Sequence, residues 1–505
     1  MKSVSLLLCG ALVLSVVSAQ TSKNTGCQLW QYPDDSGTCI NYAITSDKAS
    51  AEKNTYIDSG ATAWILAATA LAMLIVPAIG LFYAGLFKAE HATNTLLLAF
   101  VGLAVVTVEW ILFGYSFSFG PGSKGYGNFK WGLFHHVAND PSGVYGPAVP
   151  HILFAAFHNM LAAMAPVFLA GAVVGRMKFG VYILFVILWT LIVYHCLSHW
   201  IWGYYINDSW FVTQLGWMRI RGVIDYAGGA VIHITAGFAA LAVALVLKKR
   251  REYDVMPRTW AWPRLPPQPH NLPLVAIGFA LIWFGWLGYC GGANMTADGA
   301  AAHAVINTHI AAATGMLWWL ILEYLVDRRV TLVGAAFGAI SGLVGITSGA
   351  GYVWPWHSLI YGIVSASVAF GVSRLKHLLR YDDPFDVFAT HGIAGCAGMF
   401  LTGLFATSAV NGALITQNPD EEIINNSGAW YNASKLQVGY QMVGIVVASA
   451  FSFVCTYIIA WILNKLFGLR VKPEDEDRGL DTKYHGTPAY YFEEPVATEV
   501  VGVHQ

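Results

Sequence analysis

Between residues 61 and 467 the chain returns repeatedly to apolar runs of roughly 18–25 residues, long enough for a helix to cross the hydrocarbon core of a bilayer. Eleven such runs begin near Ala61, Thr93, Ala148, Gly180, Ala227, Leu274, Val305, Val330, Trp356, Asp386 and Gly439. A backbone in lipid has to satisfy its polar groups within itself. The pattern therefore predicts an all-α membrane protein of eleven transmembrane helices. Composition agrees: 56% of residues are hydrophobic, 11% are charged, and 51 glycines accompany 19 tryptophans. That mixture suits close helix packing with aromatic belts at the membrane surfaces. A net charge of -1 offers no basic surface for nucleic acid.

The first segment has the make-up of a secretory signal, expected over residues 1–19. Lys2 is the positive start, Val4 to Val17 the apolar core, and Val17-Ser18-Ala19 a small-residue cleavage site. Residues 20–60 then form a polar external segment in which Cys27 and Cys39 are candidates for a disulfide. The transmembrane region covers 61–467 and a tail covers 468–505. Cationic side chains set the orientation. One set of alternate loops holds Lys88, Arg176, Lys178, Lys248 to Arg251, Arg258, Arg264, Arg328, Arg329, Arg374, Lys376 and Arg380. The other holds only Lys124, Lys130, Arg219, Arg221 and Lys435. Basic loops stay cytoplasmic, so the amino terminus is expected outside and the carboxyl terminus inside, in a plasma membrane. The glycosylation sequons at Asn207, Asn294, Asn425 and Asn432 all fall in loops placed outside by this rule.

Two of the predicted spans carry a histidine preceded by an aspartate: Asp225-Tyr-Ala-Gly-Gly-Ala-Val-Ile-His233 in the fifth and Asp386-Val-Phe-Ala-Thr-His391 in the tenth. An ionisable group at membrane depth is costly and marks a substrate or proton path. Histidine changes charge near neutral pH. The histidines lie 158 residues apart, a spacing that suggests two inverted five-helix repeats plus a final helix. Repeats of that kind place a binding site at the midplane, where the halves meet. Cys196, Cys290, Cys396 and Cys455 sit in apolar runs and read as packing residues.

The run from Asp225 to Ile234 resembles the signature of ammonium transporters of the Amt/Mep branch of the Amt/Mep/Rh family. The similarity extends to Pro77-Ala-Ile-Gly-Leu-Phe-Tyr-Ala-Gly-Leu86, Pro269-His-Asn-Leu-Pro273, Ile306-Asn-Thr308 and Asp386-Val-Phe-Ala-Thr-His-Gly392. In the tail it includes Gly468-Leu-Arg-Val471, Gly479-Leu-Asp481 and His485-Gly486. The motifs run in order from about residue 58 to 491. The resemblance implies a homotrimer with one pore per subunit, and a transporter, not an enzyme, with no cofactor or metal. Its substrate would be ammonium or ammonia, with methylammonium as analogue. His233 and His391 match twin pore histidines that touch through their ring nitrogens. Ammonium would be recruited at an external aromatic site and deprotonated, and ammonia would then pass with a relayed proton.

By the same resemblance Trp202 matches the recruiting tryptophan, whose face can hold a cation, and Asp225 an aspartate near the outer vestibule. Asp225 could hold backbone amides and raise the local cation potential, or transfer a proton directly. Two stacked phenylalanines normally gate the pore. An ungapped count back from Arg176 puts Leu161 at one of them, with Phe157 one turn earlier, and Tyr289 takes the other. Ala293 replaces a serine near the ion. Asp386 is expected to cap its helix. His158, His195, His199, His303, His309 and His357 receive no role. The acidic tail is either solvated or a regulatory segment that docks on the cytoplasmic faces and meets a regulator there. The alternatives are an ammonium sensor on the same fold, a haem protein using the paired histidines, and a member closer to the Rh glycoproteins.

Overall fold

A computed structural model describes residues 31–33, 39–41, 57–142, 145–206, 212–250, 269–417, 423–432 and 435–491. The expected signal peptide, Cys27 and with it the Cys27–Cys39 pair, Asn207 and the last fourteen residues of the tail lie outside the described residues. Cys39 opens one strand of a short antiparallel hairpin, Gln31–Pro33 with Cys39–Asn41.

Among the described residues, ten helices are long and apolar enough to cross a membrane. They are α1 (Ser59–Leu86), α2 (Ala89–Phe119), α3 (His151–Ala170), α4 (Phe179–Trp202), α5 (Gly229–Leu247), α6 (Leu272–Gly292) and α7 (Gly299–Asp327), then, after the shorter α8 (Leu332–Thr347), α9 (Pro355–Leu379), α10 (Phe388–Phe405) and α11 (Leu436–Phe467). Helix α8 has 16 residues because the chain leaves it as turns from Ser348. Its last carbonyls are not wasted there: Thr347 O accepts from the Ala227 N–H and Ser348 O from the Tyr226 N–H, at 3.1 and 3.0 Å. The eighth span thus stops early to brace the segment that enters α5.

Side chains at the helix starts set the boundaries. Asp58 Oδ1 accepts from Ala61 N–H at 2.5 Å, Asn271 Oδ1 from Leu274 N–H at 2.9 Å, Asp298 Oδ1 from Ala301 N–H at 3.0 Å and Thr331 Oγ1 from Gly334 N–H at 2.9 Å. Each satisfies an N–H that the first turn leaves without a partner. The most extensive helix pairing joins α1 to α6. Around it, α2 packs on α1, α3 and α4, while α7 packs on α6, α8 and α9. The two halves repeat each other, and α11 closes the bundle against α4, α5 and α10.

Helices α5 and α10 meet backbone to backbone. A Cβ on Gly237 would stand 2.1 Å from the Gly392 nitrogen and 2.3 Å from its Cα. Only glycine permits that approach. Each of these helices opens with a π-helical turn, Gly229–Ile234 in α5 and Phe388–Ile393 in α10.

Basic residues of the loop set predicted to be cytoplasmic gather with the tail at one end of the bundle. The Arg176 guanidinium is fully buried, 3.1 Å from Asp382, and donates to Lys248 O and Asp382 O at 2.7 and 2.8 Å. Arg250 pairs with the same carboxylate at 2.5 Å. Burial alone would push the Asp382 carboxyl up. Arg176 and Arg250 outweigh it and hold the group below the usual carboxylate range. Met177 and Arg470 form a β-bridge. The Asp481 carboxylate accepts from the N–H groups of Thr93 and Asn94, at 2.9 and 2.8 Å. The Tyr490 hydroxyl lies 2.9 Å from His270 Nε2, so the described tail is tied to the bundle at Arg470, Asp481 and Tyr490. Asp386 departs from expectation: its carboxylate pairs with Lys376 Nζ at 2.7 Å, and Asp383 is the residue that accepts from a helix N–H, that of Phe388 at 2.8 Å.

Candidate functional site

A cavity of about 230 Å³ opens at the end of the bundle opposite the tail. Phe154, His158 and Leu161 of α3 line it together with Trp202, Arg219, Asp225, Tyr226, Ala293 and Asn294. The Asp225 side chain is what organises its floor. One carboxylate oxygen accepts from the N–H groups of Gly228 and Gly229 at 3.0 and 2.7 Å; the other accepts from Ala230 and Val231 at 2.8 and 3.1 Å. These are the orphan donors at the start of α5, and an anion is the partner they favour. All four acceptor positions of the carboxylate are thereby in use. Of the two roles open to Asp225, holding the amides is the one its hydrogen bonds describe. Gly228 completes the turn with a φ of 114°, a conformation glycine adopts without strain.

Trp202 donates its indole N–H to the Asp225 carbonyl at 2.8 Å, which fixes the ring at the cavity wall. Leu161, 1% exposed, lies in the same wall. The ungapped count thus falls on a residue of the cavity wall. Phe157 does not line the cavity; it packs behind the wall, against Gly292. Tyr289 is likewise fully buried off the cavity, and its hydroxyl donates to Ala227 O.

Deeper in the bundle, His233 and His391 meet with their Nδ1 atoms 3.2 Å apart. Aromatic rings fix both. Trp286 stacks on His233 with centroids 5.0 Å apart and planes inclined by 12°, and Phe168 lies 4.3 Å from His391. One imidazole of such a contact donates while the other accepts, so a single proton can be shared or passed across it. The direct contact of the two nitrogens leaves no gap for the iron of a haem between them. His233 Nε2 has no hydrogen-bond partner among the described residues.

Beyond the pair, a narrow space of about 10 Å³ is lined by His391, Ile79, Phe82, Tyr83, Phe168, Ile282, Phe337, Ile340, Phe385 and Thr390. It has room for about one small molecule the size of water. Its hydroxyls are occupied: Tyr83 donates to Phe168 O at 3.0 Å and Thr390 to Asp386 O at 2.8 Å. A bare cation would lose its water here and gain little in return, whereas a neutral molecule of similar size would lose far less.

Asn294, one of the four sequons, lies in the cavity wall. Its amide nitrogen donates to Thr296 Oγ1 at 2.6 Å and its oxygen accepts from Asn411 at 3.0 Å. A glycan linked there would fill the entrance. Asn425 is exposed, and Asn432 is partly so. The sequence reading passed over His158, although its position three residues before Leu161, one helical turn away on the same face, carried the signal. It also missed a buried cluster between α2 and α4, where Glu109 meets His195 at 3.2 Å and His195 meets Ser118 at 2.9 Å.

Known proteins resemble this chain along nearly all of the described length. The profile of the Ammonium Transporter Family matches residues 63–490. An ammonium transporter of Bacillus subtilis is 38% identical over 432 residues, which span 85% of this chain and 98% of the relative. The crystal structure of Candida albicans Mep2 superposes with a TM-score of 0.74 at 33% identity, covering 84% of this chain and 88% of that one. A structure titled Sensor Amt Protein, 26% identical, superposes with a TM-score of 0.72 over 84% of this chain and 98% of that one.

Proposed function

The chain belongs to the ammonium transporter family, and from that premise we propose that it moves ammonium across the membrane in the following way. Ammonium collects in the outer cavity against the face of Trp202, with Asp225 holding the cavity floor in shape. It gives up a proton on the way in, and the histidine pair below is the acceptor. Ammonia crosses the constriction past Leu161 and the buried Tyr289, meets His233 and His391, and leaves through the apolar space beyond them. The histidine pair carries the proton, each Nδ1 accepting and releasing it in turn. The observation behind this reading is the 3.2 Å contact of the two histidines between a roomy polar cavity and a narrow apolar one. Ammonium and potassium are alike in size and charge, but only ammonium can shed a proton, so a dry passage beside a proton relay separates them.

The test is uptake and current measured together in proteoliposomes under an imposed ammonium gradient. His233→Ala or His391→Ala should abolish ammonium-evoked current or admit potassium while the protein stays folded. Wild-type current and selectivity in both variants would remove the relay.

The docked tail gives the sensor reading one point of support, since Asp481 and Arg470 tie it to helices of the conducting body. The retained histidine pair favours transport, because a sensor needs no proton relay. Around the pore we place a plasma-membrane homotrimer with its amino terminus outside and its tail inside, where the tail meets a cytoplasmic regulator. We also propose a cleaved signal over 1–19, a Cys27–Cys39 disulfide, and glycans on Asn207, Asn425 and Asn432 but not on Asn294.

A further inference from the structure

One wall residue of the outer cavity is left unused by this account. His158 lies on α3, is 8% exposed and lines the cavity. Four aromatic rings box it in: Phe154 at 4.3 Å between centroids, Phe119 at 4.6 Å, Trp202 at 5.5 Å and Phe157 at 5.7 Å. None of these contacts gives the imidazole a hydrogen bond. Nδ1 is sealed without a partner among the described residues. Nε2 has no partner among them either, and it is the nitrogen left to meet the cavity. A phenylalanine would fill such a box without desolvating a polar atom. Packing therefore does not account for a histidine here, whereas a ligand in the cavity does.

The neighbouring charges are committed elsewhere. The Asp225 oxygens are filled by backbone N–H groups. Arg219 is itself a donor and lies over the Tyr204 ring at 5.6 Å. The Asn294 amide is engaged at both ends, and the Tyr145 hydroxyl donates to Phe119 O at 2.8 Å. The Tyr226 hydroxyl is sealed off from the cavity. The Trp202 face attracts a cation but does not orient its N–H bonds. An acceptor nitrogen beside that face would supply the missing direction. With the imidazole proton on Nδ1, Nε2 is such an acceptor.

We propose that His158 contacts the substrate in the outer cavity, its Nε2 accepting an N–H from an ammonium ion held against Trp202. The inference rests on the transport reading and adds a second capture residue to it. The experiment compares full-length wild type with H158F and H158Q in proteoliposomes, following ammonium uptake against concentration. Phenylalanine keeps the ring and removes both nitrogens, and glutamine keeps an acceptor. H158F should raise the half-saturating concentration roughly ten-fold with little change in maximum rate, and H158Q should fall between it and wild type. If H158F fails to reach the membrane, H158L makes the same comparison.

Unchanged half-saturation in folded H158F, or a collapsed maximum rate with unchanged half-saturation, would overturn the contact. A wild type that carried no ammonium would instead remove the transport reading. Calorimetric titration of purified wild type and H158F with ammonium chloride would then still report on His158, and equal affinities would overturn its role.

Discussion

Gly237→Ala tests the relay without touching any side chain of the pore. The new methyl would lie 2.1 Å from the Gly392 nitrogen and 2.3 Å from its Cα, both of them backbone atoms in a helix interior. Non-bonded heavy atoms rest at about 3.5 Å or more, so α5 and α10 would have to separate by roughly 1 Å. His233 is four residues before Gly237 and His391 is next to Gly392. The separation therefore acts close to the histidine contact. Opening 3.2 Å by that amount carries the two nitrogens to about 4 Å, beyond hydrogen-bonding distance. The strain itself should cost about 1–3 kcal/mol, as overpacking usually does, which leaves the bundle folded. In proteoliposomes the variant should lose most of its ammonium-evoked current, as His391→Ala does, while its thermal unfolding drops by only a few degrees. Wild-type current in folded Gly237→Ala, with His391→Ala inactive, would mean that the pair relays protons without a tight contact. Wild-type current in both would refute the relay.

Trp202→Leu should raise the half-saturating ammonium concentration about ten-fold, since roughly 1–2 kcal/mol of cation–π attraction is lost; a collapsed maximum rate with unchanged half-saturation would make Trp202 structural. Leu161→Phe should tighten apparent affinity by roughly 2–10-fold by adding an aromatic wall to the cavity. A fall in flux would show overpacking at the constriction, and unchanged values for both would remove Leu161 from the path. Asp382→Asn leaves Arg176 and Arg250 buried with no carboxylate between them and should cost about 3–5 kcal/mol, read as a lowered unfolding temperature. Because the Asp382 carboxyl is held below its usual range, its contribution is present above about pH 4 and fades as pH falls through the lowered value; the variant should lack that acid limb.

Ten helices were legible as long apolar runs and α8 as a shorter one, and both histidines stood out because a titratable group at membrane depth has few innocent explanations. Several matching motifs turn out to position helices rather than to touch a pore. Asn271 caps α6, and Asn307 ties down the turn after α8 by donating to Ala350 O and Val353 O, both at 2.7 Å. Gly85 has room for no Cβ beside Asn271 and Val275. The gate was harder to read. Counting back from Arg176 lands on Leu161, which lines the cavity, whereas Phe157, one turn earlier, packs against Gly292. Tyr289 was chosen by analogy, and its hydroxyl is used to hold Ala227. Helix α8 is shorter than the roughly 18–25 residues expected of a span because the backbone leaves it at Ser348, where the carbonyls brace Tyr226 and Ala227.

The two aspartates show why a repeat in sequence need not be a repeat in physics. Each precedes one of the two touching histidines at the start of a helix, and the inverted halves put them at opposite ends of the bundle. Asp225 is surrounded by amides and makes no ion pair among the described residues. Asp386 sits at a φ of 53° and is neutralised by Lys376, while Asp383 takes over the capping of α10. Nearby Asp382 is bound by two arginines. At the tail end Asp382 and Asp386 are thus matched by cations, whereas Asp225 is matched only by amide dipoles, whose positive ends amount to about half a charge. A residual negative field therefore remains at the outer cavity. Arg219, which lines the same cavity and donates to Val223 O, offsets part of it but forms no ion pair with Asp225 among the described residues. Capture of a cation is favoured at that end. On the transport reading the tail end, where charge is spent on clamping loops and tail together, passes a neutral molecule.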